Sequence, residues 1–282
     1  MILFKSATQL HQYILQLKNK GQTIGFVPTM GALHLGHISL VNESIKNCDV
    51  TVCSIFVNPT QFNDKKDFEK YPVTIEQDIY LLETAKCNVL FLPSVDEMYP
   101  ESFNKNKQYN LGFIATVFEG VYRFGHFNGV CMVVERLLQI TTPNKLFLGQ
   151  KDYQQCMVIK KLIDIMDVEI DVVICPTTRE KNGLAMSSRN KRLNNEMIEK
   201  AAIIYKLLNH IKKEITNNNA VELIKNANQN LLLNGFSSID YLSLANAQTL
   251  EPIEFWNKST PTVILLAAFA EGVRLIDNMV ID

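Results

Sequence analysis

Two histidines lie three residues apart in the glycine-containing segment "PTMGALHLGH" at Pro28–His37. His34 and His37 would share one face at the start of a helix, because residues three apart are neighbours on a helix surface. Two imidazoles there can donate hydrogen bonds to phosphate oxygens and to charge that develops at an attacked phosphorus. Metal ligation or a plain surface position are the alternatives, although no cysteine or acidic pattern typical of a zinc site accompanies the pair.

The surroundings of this segment favour phosphate binding. "TIGFV" at Thr23–Val27 is typical of a buried strand, and "HISLVNESIKNC" after the motif has helical spacing. Gly31 permits a tight turn or the close approach of a ligand, and Gly36 leaves space where the helix begins. The first turn of a helix offers unpaired N–H groups and the positive end of a dipole to an anion.

A second segment with phosphate-binding character is "GQKDYQQ" at Gly149–Gln155, which follows the predicted strand Lys145–Gly149. Lys151 supplies a mobile cation for a phosphate group. Asp152 would either accept a hydrogen bond from a ribose hydroxyl or cap the next helix. Gln155 would lie one turn into that helix and face the same way as Lys151.

A third segment is "AMSSRN" at Ala185–Asn190. Ser187 and Ser188 place two hydroxyls beside the guanidinium of Arg189, and this trio suits a triphosphate because arginine binds oxygen pairs bidentately. The alternative is a helix-capping turn in which Ser188 or Asn190 serves as the cap.

The fourth segment, "FVNPTQF" at Phe56–Phe62, carries neutral amides among apolar neighbours. Asn58 and Gln61 could bind the hydroxyls and the carboxylate of a small polyhydroxy acid, because an amide both donates and accepts hydrogen bonds. Asn58 could instead only fix the turn around Pro59 through a side-chain bond.

The order of elements predicts an α/β fold with a Rossmann-like doubly wound parallel sheet and a smaller C-terminal α+β domain. Apolar strands alternate with helical patterns as far as Cys175, and three strands without intervening helices end the chain. This change predicts a nucleotide- and substrate-binding domain at 1–176 and a lid domain at 177–282. The motif segments follow strands or the domain junction, so we expect them to converge on one crevice.

Composition excludes several classes of protein. The 282 residues are 47% apolar with a net charge of −1, which gives no electrostatic footprint for nucleic acid or an anionic membrane. No run reaches the roughly 20 apolar residues of a membrane span, and the N-terminus lacks a signal-peptide pattern. Six cysteines without a CxxC pair indicate reduced thiols. We therefore expect a cytoplasmic protein.

These motifs together resemble a known family. "PTMGALHLGH", "FVNPTQF", "YP", "EG…R.GHFNGV", "GQKDYQQ" and "GLAMSSRN" are similar, in this order, to the motif series of the pantothenate synthetases. "VRLIDN" at Val273–Asn278 matches more weakly. That family resembles the class I aminoacyl-tRNA synthetases, whose HIGH and KMSKS signatures correspond to "HLGH" and "MSSR".

The resemblance implies roles for individual residues. Catalytic roles fall to His34, His37, Lys151 and Arg189, with His37 as a proton donor. Gln61 would bind pantoate and β-alanine, Gln155 would bind pantoate, and Asn58 and Met30 would complete the substrate site. The resemblance assigns no metal ligand. The implied ATP-binding residues are Met30, Gly31, Ala32, Leu33, His34, Leu35, Gly36, His37, Gly149, Gln150, Lys151, Asp152, Thr178, Met186, Ser187, Ser188 and Arg189.

The resemblance implies an ATP-dependent ligase that condenses (R)-pantoate with β-alanine through a pantoyl adenylate and releases AMP and pyrophosphate. ATP would enter as a substrate with Mg²⁺, and the family implies a homodimer. A nucleotidyl transferase acting on a phosphorylated small molecule and a non-catalytic nucleotide sensor are the competing hypotheses. Among the departures from the family pattern, Asn182 stands where aspartate is commoner, which bears on the order of the loop around it.

Overall fold

A computed structural model describes residues 1–61, 68–69, 71–104, 106–216 and 219–281, so Phe62 of the fourth segment lies outside the described residues. The chain divides into two compact units that interleave in sequence. The first unit comprises Met1–Leu111, Arg123–Gly149 and Gln155–Pro176, and the second comprises Gly112–Tyr122, Gln150–Gln154 and Thr177–Asp282. The sequence predicts one domain boundary at 176/177. In the structure, two short segments that precede this boundary also belong to the second unit.

The first unit is built on a parallel sheet with the order β1-β4-β3-β2-β5-β6 in the described part of the chain. Its strands are β1 (Ile2–Phe4), β2 (Ile24–Thr29), β3 (Val50–Ile55), β4 (Val89–Phe91), β5 (Lys145–Gly149) and β6 (Asp171–Cys175). Its helices are α1 (Ala7–Asn19), α2 (Leu35–Asn47), α3 (Ile75–Thr84), α4 (Val95–Met98), α6 (His126–Thr141) and, largely, α7 (Tyr153–Met166). The predicted doubly wound sheet is therefore confirmed.

The central strands are buried on both faces. Every residue of β3 is buried, and β2 is buried except for a half-exposed Pro28. Continuous β-branched and apolar runs are typical of parallel strands that helices cover on both sides. Such a run predicts the strand Thr23–Val27 in the sequence, and the structure has β2 at Ile24–Thr29.

The strand order reverses between β2 and β5. These strands are neighbours, and the chain proceeds from β2 to β3 on one side and from β5 to β6 on the other. Ligands of open α/β sheets bind at the carboxyl ends of strands at such a reversal. β2 leads directly into the segment with the two histidines, and β5 ends at Gly149.

The second unit has an antiparallel sheet of β7 (Ser238–Asn246), β8 (Thr262–Ala270) and β9 (Val273–Ile281), as its described residues show. Its helices are α5 (Glu119–Tyr122), α8 (Asn195–Ala201), α9 (Ile203–Glu214) and α10 (Ala220–Leu233). Leucines and isoleucines of α9 and the three strands form its core. The sequence pattern predicts a single helix near Asn195–Thr216, whereas the structure has two. Ala202 ends the first of them, and its N–H bonds to Glu199 O.

The cysteine prediction is confirmed. All six cysteines are free thiols, and five of them are buried. Burial raises the pKa of Cys87 to about 11, so this thiol is protonated and unreactive at neutral pH. Among the described residues, the helices are too short or too polar to traverse a bilayer.

Candidate active site

The loop after β2 has an unusual backbone. Gly31 has φ +79° and Ala32 has φ +49°, so two consecutive residues adopt the left-handed conformation. A side chain at Gly31 would also meet Asp78 Oδ2 and Ile55 Cγ2, each 3.1 Å from an added Cβ. Glycine suits this position, whereas Ala32 is held in a conformation that a residue with a Cβ rarely adopts.

A buried carboxylate holds this loop. Asp78 on α3 is fully buried, and its oxygens accept hydrogen bonds from Ala32 N at 2.9 Å and Leu33 N at 2.8 Å. Thr74 Oγ1 donates to Asp78 Oδ1 at 3.1 Å. Backbone N–H donors offset the cost of burying the carboxylate. Helical spacing alone predicts a solvated face for Asp78. This prediction is wrong, because the loop covers this side of α3.

The two histidines form the N-terminal cap of α2. His34 Nδ1 accepts from Gly36 N at 3.1 Å, and His37 Nδ1 accepts from His34 N at 3.3 Å. The ring centroids are 4.1 Å apart. Because each Nδ1 accepts, a neutral ring carries its proton on Nε2. Both rings are therefore preset as hydrogen-bond donors at the N-terminus of a helix.

Asn58 is a buried hub below the turn Pro59–Gln61. Its Oδ1 accepts from Tyr99 OH at 2.8 Å and from Thr60 Oγ1 at 2.9 Å. Its Nδ2 donates to Gln61 Oε1 and to Gly129 O, each at 3.2 Å. Burial raises the pKa of Tyr99 to about 12, which keeps its hydroxyl protonated and donating. The turn-fixing interpretation of Asn58 thus describes what the side chain does here.

The turn brings two predicted substrate residues together. Gln61 Nε2 contacts Met30 Sδ, so the loops after β3 and β2 meet through these side chains. His126 Nδ1 donates to Gln61 O at 2.9 Å from the start of α6. Gln155, in the first unit, is half-buried on α7. Its contact with a substrate stays a prediction.

The other segments with a predicted nucleotide-binding role lie largely in the second unit. Gln150, Lys151 and Asp152 form one 3-10 turn directly after β5. Lys151 Nζ lies 3.9 Å from Asp152 Oδ1, and the Asp152 side chain is half exposed. The lysine side chain is 20% exposed, so protein covers most of it.

The loop with "MSSRN" is a short hairpin. Met186 N donates to Thr178 O at 3.0 Å, and Arg179 pairs with Ala185. Ser187 Oγ accepts from Arg189 N at 3.2 Å and caps the 3-10 helix Ser188–Arg192. The cap is therefore Ser187, and neither Ser188 nor Asn190 as proposed in the capping alternative. Its hydroxyl hydrogen can still be donated to a ligand.

Asn182 keeps this hairpin in order. Its Oδ1 accepts from Leu184 N at 3.1 Å, and its Nδ2 donates to Ile198 O at 3.3 Å. A carboxylate could make the first bond but not the second, because it has no donor. Asparagine therefore fits this position and ties the hairpin to α8.

Sequence reasoning missed Gln154, which organises part of the second unit. This buried residue accepts from Glu119 N at 3.0 Å and donates to Ile114 O and Val117 O, each at 2.8 Å. A second glutamine next to Gln155 in "DYQQ" was the available signal. Within the described ranges, no three histidine, cysteine or acidic side chains cluster to hold a metal ion.

Comparisons with known proteins agree with these motifs. The family model described as pantoate-beta-alanine ligase matches residues 2–280. The pantothenate synthetase of Cytophaga hutchinsonii is 44% identical over 284 aligned positions, covering 100% of this chain and 99% of that protein.

Solved structures show the same likeness. Pantothenate synthetase from Thermus thermophilus superposes with a TM-score of 0.89 at 34% identity, covering 99% of each chain. Pantoate-beta-alanine ligase from Francisella tularensis, complexed with beta-gamma ATP and beta-alanine, has a TM-score of 0.81 at 40% identity. The superposition with the Francisella tularensis enzyme covers 99% of this chain and 97% of that enzyme's chain.

Asp78→Asn tests the tether of the loop after β2. The substitution turns one acceptor into a donor that faces a backbone N–H, so we expect a loss of about 1–3 kcal/mol in the free energy of unfolding. Urea denaturation measures this loss. Glu76→Gln, at an exposed position of the same helix, is the matched control and should change stability by less than about 0.5 kcal/mol. Equal stabilities of the two variants would contradict the tether.

Proposed function

Because the chain belongs to the pantoate–β-alanine ligase family, we propose that it condenses (R)-pantoate with β-alanine at the expense of ATP. The products are pantothenate, AMP and pyrophosphate. The observation that carries this proposal is the pair of imidazoles His34 and His37, fixed as Nε2–H donors at the start of α2.

The reaction proceeds in two steps. A carboxylate oxygen of pantoate attacks the α-phosphorus of ATP, the bond to the β-phosphate bridging oxygen breaks, and pyrophosphate leaves. The amine of β-alanine then attacks the acyl carbon and loses a proton. AMP leaves with the oxygen that came from pantoate. The protein need not supply a covalent nucleophile, so its contribution is positioning and the stabilisation of charge.

The histidines act on the phosphates. Charge builds on oxygens of the α-phosphate during the first step, and donors fixed beforehand stabilise it without reorganising. His34 and His37 meet this requirement because backbone N–H groups occupy their Nδ1 atoms and orient the rings. We assign His37 the proton-donor role that the family resemblance implies.

The nucleotide contacts form a proposed set of residues. Lys151 and Arg189 supply positive charge for the phosphates, and Ser187 and Ser188 supply hydroxyl donors. Mg²⁺ enters bound to the phosphates of ATP. The other proposed ATP-binding residues are Met30–Leu33, Leu35, Gly36, Gly149, Gln150, Asp152, Thr178 and Met186.

Pantoate is assigned from the loop after β3. Gln61 and Met30 are in contact, and we propose that Gln61 binds pantoate and β-alanine while Gln155 binds pantoate. Asn58 would contribute to the substrate site chiefly by holding Gln61, because its own amide already bonds to protein atoms. We also propose a homodimer, a cytoplasmic location and a lid role for the second unit.

The acid substrate separates this proposal from the alternative nucleotidyl transferase. An enzyme that transfers a nucleotide to a phosphorylated acceptor needs cations in the acceptor pocket. The loop after β3 presents the neutral amides of Asn58 and Gln61 instead. A nucleotide sensor, in turn, would have no need for oriented imidazole donors together with Lys151.

Pantoate-dependent exchange between ATP and pyrophosphate tests the activity. We expect exchange with pantoate and none without it, because adenylate formation is reversible until the amine attacks. Addition of β-alanine should then release AMP in proportion to pantothenate. Exchange that proceeds equally without pantoate, or that requires a phosphorylated acceptor, would contradict the proposal.

His37→Asn tests the histidine donors. The asparagine Oδ1 can still accept from His34 N, but the Nε2–H donor is lost, so turnover should fall about 10²–10³-fold while the fold survives. His37→Gln is the matched variant, because its amide nitrogen reaches about as far as Nε2 and should restore part of the rate. Steady-state kinetics and thermal unfolding measure both effects. A His37→Asn enzyme with normal turnover would refute this role.

A further inference from the structure

Strand β9 carries "VRLIDN" at Val273–Asn278, a segment with no role in the proposed chemistry. The segment has three polar residues that bind other parts of the chain. Because side chains alternate along a strand, Arg274 and Asn278 lie on one face and Asp277 lies on the other. Each of them binds a different chain segment of the second unit.

Asn278 holds the turn that carries Lys151. The residue is 2% exposed, and its Nδ2 donates to Gln150 O at 2.8 Å and to Lys151 O at 2.9 Å. Its Oδ1 accepts from Gln150 Nε2 at 3.2 Å. Both hydrogens of the amide nitrogen and one lone pair of its oxygen are thus engaged with this turn.

Asp277 holds the hairpin that leads to "MSSR". Its carboxylate accepts from Arg179 Nη1 at 2.6 Å and from Arg179 Nη2 at 3.0 Å. Asn278 N donates to Asp277 Oδ1 at 2.8 Å. The guanidinium of Arg179 also lies 4.0 Å from the ring centroid of Tyr205. This buried, bidentate pair fixes the first strand of the hairpin.

Arg274 binds the segment that contains α5. Its Nη1 donates to Glu119 Oε2 at 2.9 Å, and its Nε donates to Asp240 Oδ2 at 2.7 Å. Tyr241 OH donates to Glu119 Oε1 at 2.6 Å. One strand therefore links the segment 112–122, the turn 150–152 and the hairpin 178–186 within the second unit.

We propose that Asn278 is a positioning residue that places Lys151 for the phosphates of ATP. The sheet hydrogen bonding of β5 ends at Gly149, so the carbonyls of Gln150 and Lys151 need other donors. The ammonium of lysine sits on a flexible stem, and its location depends on where the backbone is held. An amide supplies two donors from one nitrogen beside an acceptor, which matches this turn.

This inference rests on the proposed phosphate role of Lys151. Asn278→Asp is the principal variant, because it keeps the shape and the acceptor but removes both donors. Asn278→Ala is the second variant. Asn219→Ala is the matched control, since Asn219 also bonds to two backbone groups, Glu214 O and Thr216 N, and touches no nucleotide motif.

Two measurements test the effect of the Asn278 substitutions on ATP binding and turnover. Calorimetry gives the Kd of α,β-methylene-ATP, which should weaken at least about 10-fold in both Asn278 variants. Steady-state kinetics should show kcat/KM for ATP reduced about 100-fold, because a displacement of about 1 Å in a charge-bearing group has that effect. Asn219→Ala should leave both values unchanged while lowering the thermal transition.

A double-mutant cycle separates positioning from stability. If Asn278 acts through Lys151, adding Asn278→Asp to Lys151→Ala should change the analogue Kd by less than about twofold. Additive losses, or an unchanged Kd in folded Asn278 variants, would overturn the inference. Failure of both Asn278 variants to fold beside a folded Asn219→Ala would overturn it as well.

Failure of the proposed function gives a different result. A chain that binds the analogue but shows no pantoate-dependent exchange refutes the acid substrate, and the Kd comparison still decides the role of Asn278. An unaltered chain that does not bind the analogue overturns this inference together with the proposed ATP site.

Discussion

Hydrogen bonding of a parallel sheet stops where the strands end, and the loops beyond it must be held by other groups. A nucleotide site at that edge needs fixed donors, because donors that reorganise as charge develops lose most of their effect. In the first unit the buried carboxylate of Asp78 fixes the loop that precedes the histidine donors. It does so by accepting hydrogen bonds from Ala32 N and Leu33 N. The left-handed backbone before His34 is therefore stabilised, and α2 starts with both imidazoles oriented.

The second unit meets the same need with opposite polarity. In the turn 150–152 the backbone groups that need partners are the carbonyls of Gln150 and Lys151. The amide of Asn278 therefore acts as a donor here, whereas the carboxylate of Asp78 acts as an acceptor in the first unit. In the hairpin 178–186 the charged pair of Asp277 and Arg179 does this work. Residues that touch no substrate in the proposed mechanism thus account for the order of the loops that do. These contacts explain why polar side chains are buried in an otherwise apolar strand.

The sequence was sufficient for the sheet, since β-branched runs such as Val50–Ile55 are typical of strands covered on both faces. It was also sufficient for the segments with chemistry, since they follow those strands. It was insufficient for the tethers. Asp78 lies on a helix with ordinary amphipathic spacing, and only the path of a distant loop makes its face buried. The partner of Gln154 is more than 30 residues away in the sequence, and that of Asn278 is more than 120 residues away. Asn58 was identified, but the choice between substrate contact and turn support depended on contacts with Tyr99 and Gly129.

The central claim is that pantoate is activated as an adenylate. The most direct test follows an oxygen atom from pantoate labelled with heavy oxygen in its carboxylate. Attack of that carboxylate on the α-phosphorus, followed by cleavage of the acyl–oxygen bond, leaves one labelled oxygen in AMP. Mass spectrometry of AMP from a complete reaction should therefore show one heavy oxygen per molecule. AMP without label, formed together with pantothenate, would contradict the account.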